Sequence, residues 1–336
     1  MNAPARYRME ACRTADGGEC WELLGPDGAP LEQARRFLQT VDLRGLAPRT
    51  LRTYAYDLLA IYRWLDQTGR DPARLDEQDL LEFIRFQRDR KPRPAATTIN
   101  RRACTLERFV ACLQGRRLDL WPGAGPQRRR RRRTLPRVKE PRKTIRPLTH
   151  AELVGFIDGL KTLRDRCIVA LMWACGLRAA EVLALRVCDV RFDQLCLWIN
   201  GKGDKQRSVP MPEELARLLE RYIQNERPAH SATALFVVLK GPGRARPLSY
   251  AGLRRIFRYH RRISGIPQAN PHRFRHTFAA NMAKNGVTLP VLMRLLGHNW
   301  AKTTLRYIHL DDREVREQYR RAFDAISTVF DAKPPA

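Results

Sequence analysis

Three features of the sequence predict a mainly α-helical fold of two domains, with a small antiparallel β-sheet in the second. A length of 336 residues suits about two domains. Between residues 31 and 118, apolar side chains recur at spacings of three and four, the mark of helices packed on one face. Beyond residue 148 that pattern is broken by two strand-like runs, Leu195–Ile199 and Ser208–Met211, on either side of a glycine-rich turn. A hydrophobic fraction of 43% is enough to fill two cores.

Residues 1–30 read as a β-hairpin segment. Tyr7–Glu10 and Trp21–Leu24 are its expected strands, with Asp16-Gly17-Gly18 as the turn. Residues 31–120 form the helical domain. Its first clear helix carries Leu51, Tyr54, Leu58, Ile61 and Leu65 on one stripe, with Pro48 near the start and Gly69 after the end. A second helix begins at Asp76, with Leu80, Leu81 and Ile84 on its buried side. The third begins at Thr98 and buries Ile99, Ala103, Leu106, Val110 and Leu113. The opposite faces carry Arg49, Arg52, Arg63, Arg101, Arg102 and Arg108. Such arginines are either solvated or engaged with phosphates; Arg49, Arg52, Arg101 and Arg102 are the candidates for phosphate contact.

Residues 121–147 read as a linker, because Pro122, Pro126, Pro136, Pro141 and Pro147 forbid continuous helix. Within it, Arg128, Arg129, Arg130, Arg131, Arg132 and Arg133 are six consecutive cations. The segment holds eleven Lys or Arg against one Glu, ten of the chain's 28 net positive charges. An extended cationic strap can follow a polyanionic backbone, and the excess charge predicts strongly salt-dependent binding of such a partner. A nuclear-localisation signal and a plain spacer are competing readings of the run.

Residues 148–336 form a compact mixed domain. Thr149 and Glu152 make a capping box, and Ile168–Cys175 is apolar all round, as a central buried helix would be. Gly176 ends that helix. Further helices are expected from about Pro212, Tyr250, Pro271 and Leu289.

Several classes are excluded or disfavoured. The longest apolar run, Cys167–Cys175, is too short to span a bilayer. The sequence MNAPARYRME carries no apolar stretch of the kind a secretory signal needs. A cytoplasmic location is therefore expected, with all eight cysteines reduced. No CxxC pair is present, so a zinc cluster is not expected. Cys104, Cys112, Cys167 and Cys175 fall on apolar helical faces and read as core thiols.

The residues able to do chemistry lie in the second half. Arg178 emerges where the buried helix stops, and Glu181 lies one turn on to orient its guanidinium. Lys202 sits at a glycine-flanked hairpin tip that allows close backbone approach, with Lys205 and Arg207 beside it as further phosphate contacts. His272 and Arg275 share a helical face, one to move protons and one to grip phosphate oxygens. Metal binding by His272, His276 and His298 is opposed by the adjacent arginines. His298 follows the next helix stop, and Tyr307 comes nine residues later. A phenol becomes a nucleophile when deprotonated or held beside positive charge.

The stretches GLRAAE, GKGDKQRSVPM, HRFRHTFA and LLGHNWAKTTLRYIH resemble the tyrosine site-specific recombinases, also called the phage integrase family. The resemblance covers about residues 149–310 and, more weakly, residues 31–118, which are similar to that family's core-binding domain. It implies two domains clamping double-stranded DNA, with Arg178, Lys202, His272, Arg275, His298 and Tyr307 in the active-site positions. It further implies a 3′-phosphotyrosyl intermediate and no cofactor, metal or nucleotide. The amphipathic stripe Val315, Tyr319, Phe323, Ile326 and Phe330 either closes its own core or, as the resemblance implies, docks on a neighbouring protomer and links four subunits on two duplexes. Other recombinases or directionality factors are possible partners, and no membrane is involved. The arginine-rich linker and the hairpin depart from the family pattern and favour a mobile-element setting. Alternatives are Xer-type dimer resolution, a type IB topoisomerase, a metal-dependent nuclease, and a non-catalytic sequence-specific DNA-binding protein.

Overall fold

The computed structural model describes residues 7–13, 19–45, 48–115, 137–140, 146–200, 206–229 and 233–297, with the backbone alone at 13, 19, 48 and 49. The chain divides into two compact units, Met1–Lys143 and Thr144–Ala336. Among the described residues the fold is mainly helical with one small three-stranded antiparallel sheet, as the periodicity predicts.

In the first unit, strands β1 (Arg8–Arg13) and β2 (Glu19–Leu24) pair antiparallel, Arg8 opposite Leu24. Four helices follow: α1 (Glu32–Asp42), α2 (Pro48–Thr68), α3 (Glu77–Asp89) and α4 (Ala96–Leu113). The stripe on α2 is buried throughout, and it meets Phe37, Phe83 and Phe109 in a single core. Phe37 and Phe109 pack edge to face with centroids 5.5 Å apart, the arrangement that ring quadrupoles favour. Asp76 caps α3 by accepting from the Asp79 amide at 2.9 Å. Helix α4 begins two residues before Thr98, with the Thr98 amide donating to the Ala95 carbonyl at 2.8 Å. Residues 137–140, within the predicted linker, lie against α4, where Asn100 exchanges hydrogen bonds with both backbone groups of Val138 at 2.9 Å.

The expectation that all eight cysteines are reduced does not hold for Cys12 and Cys20, which form a disulfide. They stand directly opposite in the hairpin register with Cα atoms 4.8 Å apart, a separation a disulfide spans. Cys167 and Cys175 are free and fully buried core thiols, and burial pushes the Cys175 thiol up to about 12. Cys104 and Cys112 are free and half-buried. The turn at 14–18 lies outside the described residues.

The second unit is built around α6 (Leu163–Ala174). Ile168, Val169, Leu171 and Met172 are almost wholly buried on all sides of it, as a core helix requires. Helix α5 (His150–Asp158) starts with the capping box of Thr149 and Glu152. Helix α7 (Ala179–Ala184) leaves α6 through Gly176 and Leu177. Strands β3 (Val190–Arg191), β4 (Cys196–Asn200) and β5 (Gln206–Pro210) form the sheet in the order β3-β4-β5. The two-residue β3 is too short to leave a sequence pattern. Helices α8 (Glu213–Asn225), α9 (Tyr250–Ser264), α10 (Pro271–Lys284) and α11 (Leu289–Leu296) complete the unit.

Gly176 has φ +65°, a region that costs any residue with a Cβ. A Cβ there would collide with the Phe278 ring and lie 3.2 Å from Leu296 Cδ2. Gly176→Ala should therefore cost roughly 2–4 kcal/mol, the sum of backbone strain and overpacking. Urea unfolding measures this, and a loss below about 0.5 kcal/mol, the scale of an inconsequential surface change, would contradict it.

Candidate active site

The site forms where three segments of the chain meet. The first follows α6, where Arg178 is the residue before α7 and turns its backbone N–H to Glu181 Oε2 at 2.8 Å. The second is β5, whose second residue is Arg207. The third is the end of α11, which stops at Gly297 in the left-handed region with φ +59°. Helix α10 crosses this corner and delivers Arg275 from its second turn.

Glu181 binds all three arginines. Its Oε1 accepts from Arg178 Nη1 at 2.7 Å and from Arg207 Nη1 at 3.1 Å. Its Oε2 accepts from Arg207 Nη2 at 3.0 Å and lies 3.6 Å from Arg275 Nη1. Burial works to raise the pKa of this carboxyl, but the Arg207 hydrogen bonds, the Arg178 amide and the nearby cations outweigh it. The carboxyl therefore titrates below its ordinary range and stays anionic at neutral pH.

Among the described residues, helix-end carbonyls are further partners of these arginines. Helices end with unpaired carbonyls and a partial negative charge. The Leu295 carbonyl accepts from Arg207 Nε at 3.1 Å, and the Leu296 carbonyl from Arg275 Nη2 at 2.6 Å. The Gly297 carbonyl accepts from Arg178 Nη2 at 3.2 Å. Three consecutive carbonyls thus hold three different guanidiniums. A fourth, that of Gly176, accepts from Arg275 Nη1 at 2.6 Å.

Exposure separates the arginines. The Arg178 side chain is 41% exposed, whereas those of Arg275 and Arg207 are 3% and 11%. Arg178 is the guanidinium most open to solvent, and those of Arg275 and Arg207 are buried beside it. His272, at the second position of α10 after the Asn270 cap, is exposed one turn before Arg275. Lys202, Lys205, His298 and Tyr307 lie outside the described residues, as do Arg128, Arg129, Arg130, Arg131, Arg132 and Arg133. No three His, Cys, Asp or Glu side chains gather into a metal cluster among the described residues.

Two arginines expected to reach phosphates instead face inward. Arg207 lies on the same face of β5 as buried Val209, and its whole guanidinium serves Glu181 and Leu295. The two-residue alternation along β5 carries that signal, provided the strand is begun at Gln206 rather than Ser208. Arg102 donates to Gln87 Oε1 at 2.7 Å and approaches the carboxylate of Asp57, a buried acid that needs cations near it. Arg101 pairs with Asp57 at 2.9 Å yet remains half exposed. Arg52 is exposed and stands over the rings of Trp21 and Tyr56, 5.3 and 5.5 Å from their centroids. The side chain of Arg49 lies outside the described residues.

An acid-bridged arginine cluster at a helix end suits an anionic ligand such as a phosphate. Comparison with known proteins agrees. Residues 146–314 match the phage integrase family, and residues 34–116 match the phage integrase N-terminal SAM-like domain. The chain belongs to the phage integrase family of tyrosine recombinases, enzymes that cut and rejoin DNA in site-specific recombination. It is 31% identical over 307 residues to the tyrosine recombinase XerD of Ralstonia nicotianae, covering 87% of this chain and 95% of that one. With XerD of Neisseria meningitidis serogroup B it shares 32% identity over 288 residues, or 82% and 92% of the two chains. Among solved structures, the fold is similar to the Tn1549 transposon integrase in complex with transposon right end DNA. That match has a TM-score of 0.66, 19% identity, and covers 87% of this chain and 99% of the other. It is similar also to XerH bound to a palindromic difH substrate, with a TM-score of 0.62, 19% identity, and 82% and 80% coverage. No helix among the described residues is long and apolar enough to cross a membrane.

Asp57 gives a pH test of the buried ion cluster in the helical unit. Burial raises its pKa from 3.8 to about 6, against the lowering effect of Arg101, Thr105 and Arg102. Between these values the folded protein holds a proton that the unfolded chain has lost, so this group makes stability fall as pH rises from about 4 to 6. Above that window the penalty is constant. Asp57→Asn should flatten the fall, read as unfolding free energy at pH 4.5 and 7; an unchanged difference would remove Asp57 as its source.

Proposed function

We propose that this protein recombines specific DNA sites through a covalent tyrosyl intermediate. Tyr307 attacks a DNA phosphorus, forming a 3′-phosphotyrosyl bond and releasing a 5′-hydroxyl. Arg178 and Arg275 neutralise the nonbridging oxygens as charge develops. Lys202 protonates the leaving 5′-oxygen, His272 assists proton transfer at Tyr307, and His298 bonds the scissile phosphate. The ester conserves the bond energy, so the 5′-hydroxyl of a partner strand reverses the step and joins new ends without a nucleotide or a metal. What supports this reading most directly is the acid-bridged arginine cluster, which gathers Arg178, from the start of α7, and Arg275, from α10, onto one carboxylate beside the helix end that precedes His298.

The DNA partner follows from family membership and from the net charge of +28. The arginine run of the linker would strap along the phosphate backbone between the two units. Arg52, Arg101 and Lys205 remain candidate backbone contacts. Integration or transposition of a mobile element is the setting proposed, given the linker and the hairpin. Dimer resolution is the second reading, favoured by XerD relatives that match over nearly their whole length. A cytoplasmic site of action suits either.

Assembly would run through the C-terminal stripe Val315, Tyr319, Phe323, Ile326 and Phe330. The catalytic unit offers an apolar groove of about 470 Å³ between α6, α8 and α10, lined by Ala170, Trp173, Leu215, Phe278 and Met282 among others. A neighbour's stripe of large apolar residues fits that lining by chemistry.

Covalent trapping on genomic DNA flanking the gene tests the chemistry and maps the site together. The wild-type adduct should form in EDTA and vanish in Tyr307→Phe; an adduct that survives the substitution overturns the assignment. Adducts at element ends select the mobile-element setting, and adducts at one chromosomal locus select dimer resolution. Deleting residues 314–336 should impair strand exchange more than DNA binding, and equal loss of both would count against docking.

A further inference from the structure

We propose that Arg207 is a positioning residue for cleavage, holding the phosphate-binding arginines through Glu181 rather than touching DNA; this rests on the recombinase reading above. Its guanidinium makes three hydrogen bonds: two to the Glu181 carboxylate at 3.1 and 3.0 Å, and one to the Leu295 carbonyl at 3.1 Å. That single group joins strand β5 to the carboxylate that orients Arg178 and Arg275, and to the helix end that precedes His298. Gly297 shows how tightly it is seated, because a Cβ there would lie 2.9 Å from Arg207 Nη1.

Charge gives the connection its function. Three guanidiniums and one carboxylate leave a formal +2 in the cluster. A phosphodiester carries one negative charge and its five-coordinate transition state two, so the cluster matches the transition state better than the ground state. Arg207 also takes two of the acceptor positions on Glu181. Without it, that carboxylate is left with fewer partners in a buried site and draws Arg178 and Arg275 toward itself, away from the phosphate. A displacement of about 1 Å in such a clamp costs about 100-fold in rate.

The test compares wild type with Arg207→Met on a nicked duplex carrying the mapped cleavage site, under single-turnover conditions. The variant should cleave about 100-fold more slowly with unchanged DNA affinity. A second duplex carries a methylphosphonate at the scissile position, which removes the charge the arginines must neutralise. On it the variant's deficit should shrink to less than about 10-fold, which a merely structural role would not produce. An equal deficit on both duplexes, or none on either, overturns the proposal. If Arg207→Met fails to fold, Arg207→Lys takes its place with the same pair of substrates, its single ammonium reaching fewer acceptors. Failure of the wild type to form any adduct would instead overturn the underlying recombinase chemistry.

Discussion

One carboxylate and one helix terminus hold this arginine cluster together. Three arginines brought close would repel one another, and burying even one of them unpaired is costly. Glu181 supplies the counter-charge from one side. The carbonyls of Leu295, Leu296 and Gly297 supply acceptors and the negative end of the α11 dipole from the other. Each side solves the other's problem, since those carbonyls would otherwise be helix-end acceptors without intrahelical donors. The arrangement fixes the guanidiniums before any ligand arrives, which is what electrostatic preorganisation requires.

The scaffold follows from that constraint. Arg178 must leave a rigid core at a fixed angle, so α6 is buried on all sides and ends at a left-handed glycine with no room for a methyl group. Gly297 ends α11 in the same left-handed conformation, with Arg207 lying against it. Arg275 reaches the corner from the buried face of α10, between Phe274 and His276, where its 3% exposure prevents it from swinging out. The rigidity of the cluster is thus a property of the core, and the partly exposed Arg178 is the edge that meets solvent.

Much of this was legible in the sequence, and what was missed has physical causes. The stripe on α2, the Asp76 and Thr149 caps and the stop at Gly176 are local signals that periodicity and capping chemistry report. The pairing of Arg178 with Glu181 is equally local. Arg275 with Glu181, and Arg207 with Leu295, are long-range contacts 94 and 88 residues apart. No spacing rule reveals those; only the family resemblance placed Arg178 and Arg275 in one site. The inward partners of Arg207 and Arg102 leave no sequence signal, because a cation in a basic chain looks solvated until its buried acid is located. The hairpin disulfide escapes an argument from compartment and strands drawn at Tyr7–Glu10 and Trp21–Leu24, because the pairing runs on to Cys12 and Cys20.

The most direct measurement is a structure of the full chain trapped on cleaved DNA. The account predicts Tyr307 Oη bonded to phosphorus, with the nonbridging oxygens about 3 Å from Arg178 and Arg275 and Arg207 still bound to Glu181. A phosphate held away from that guanidinium pair, or an Arg207 turned out to the DNA, would contradict it.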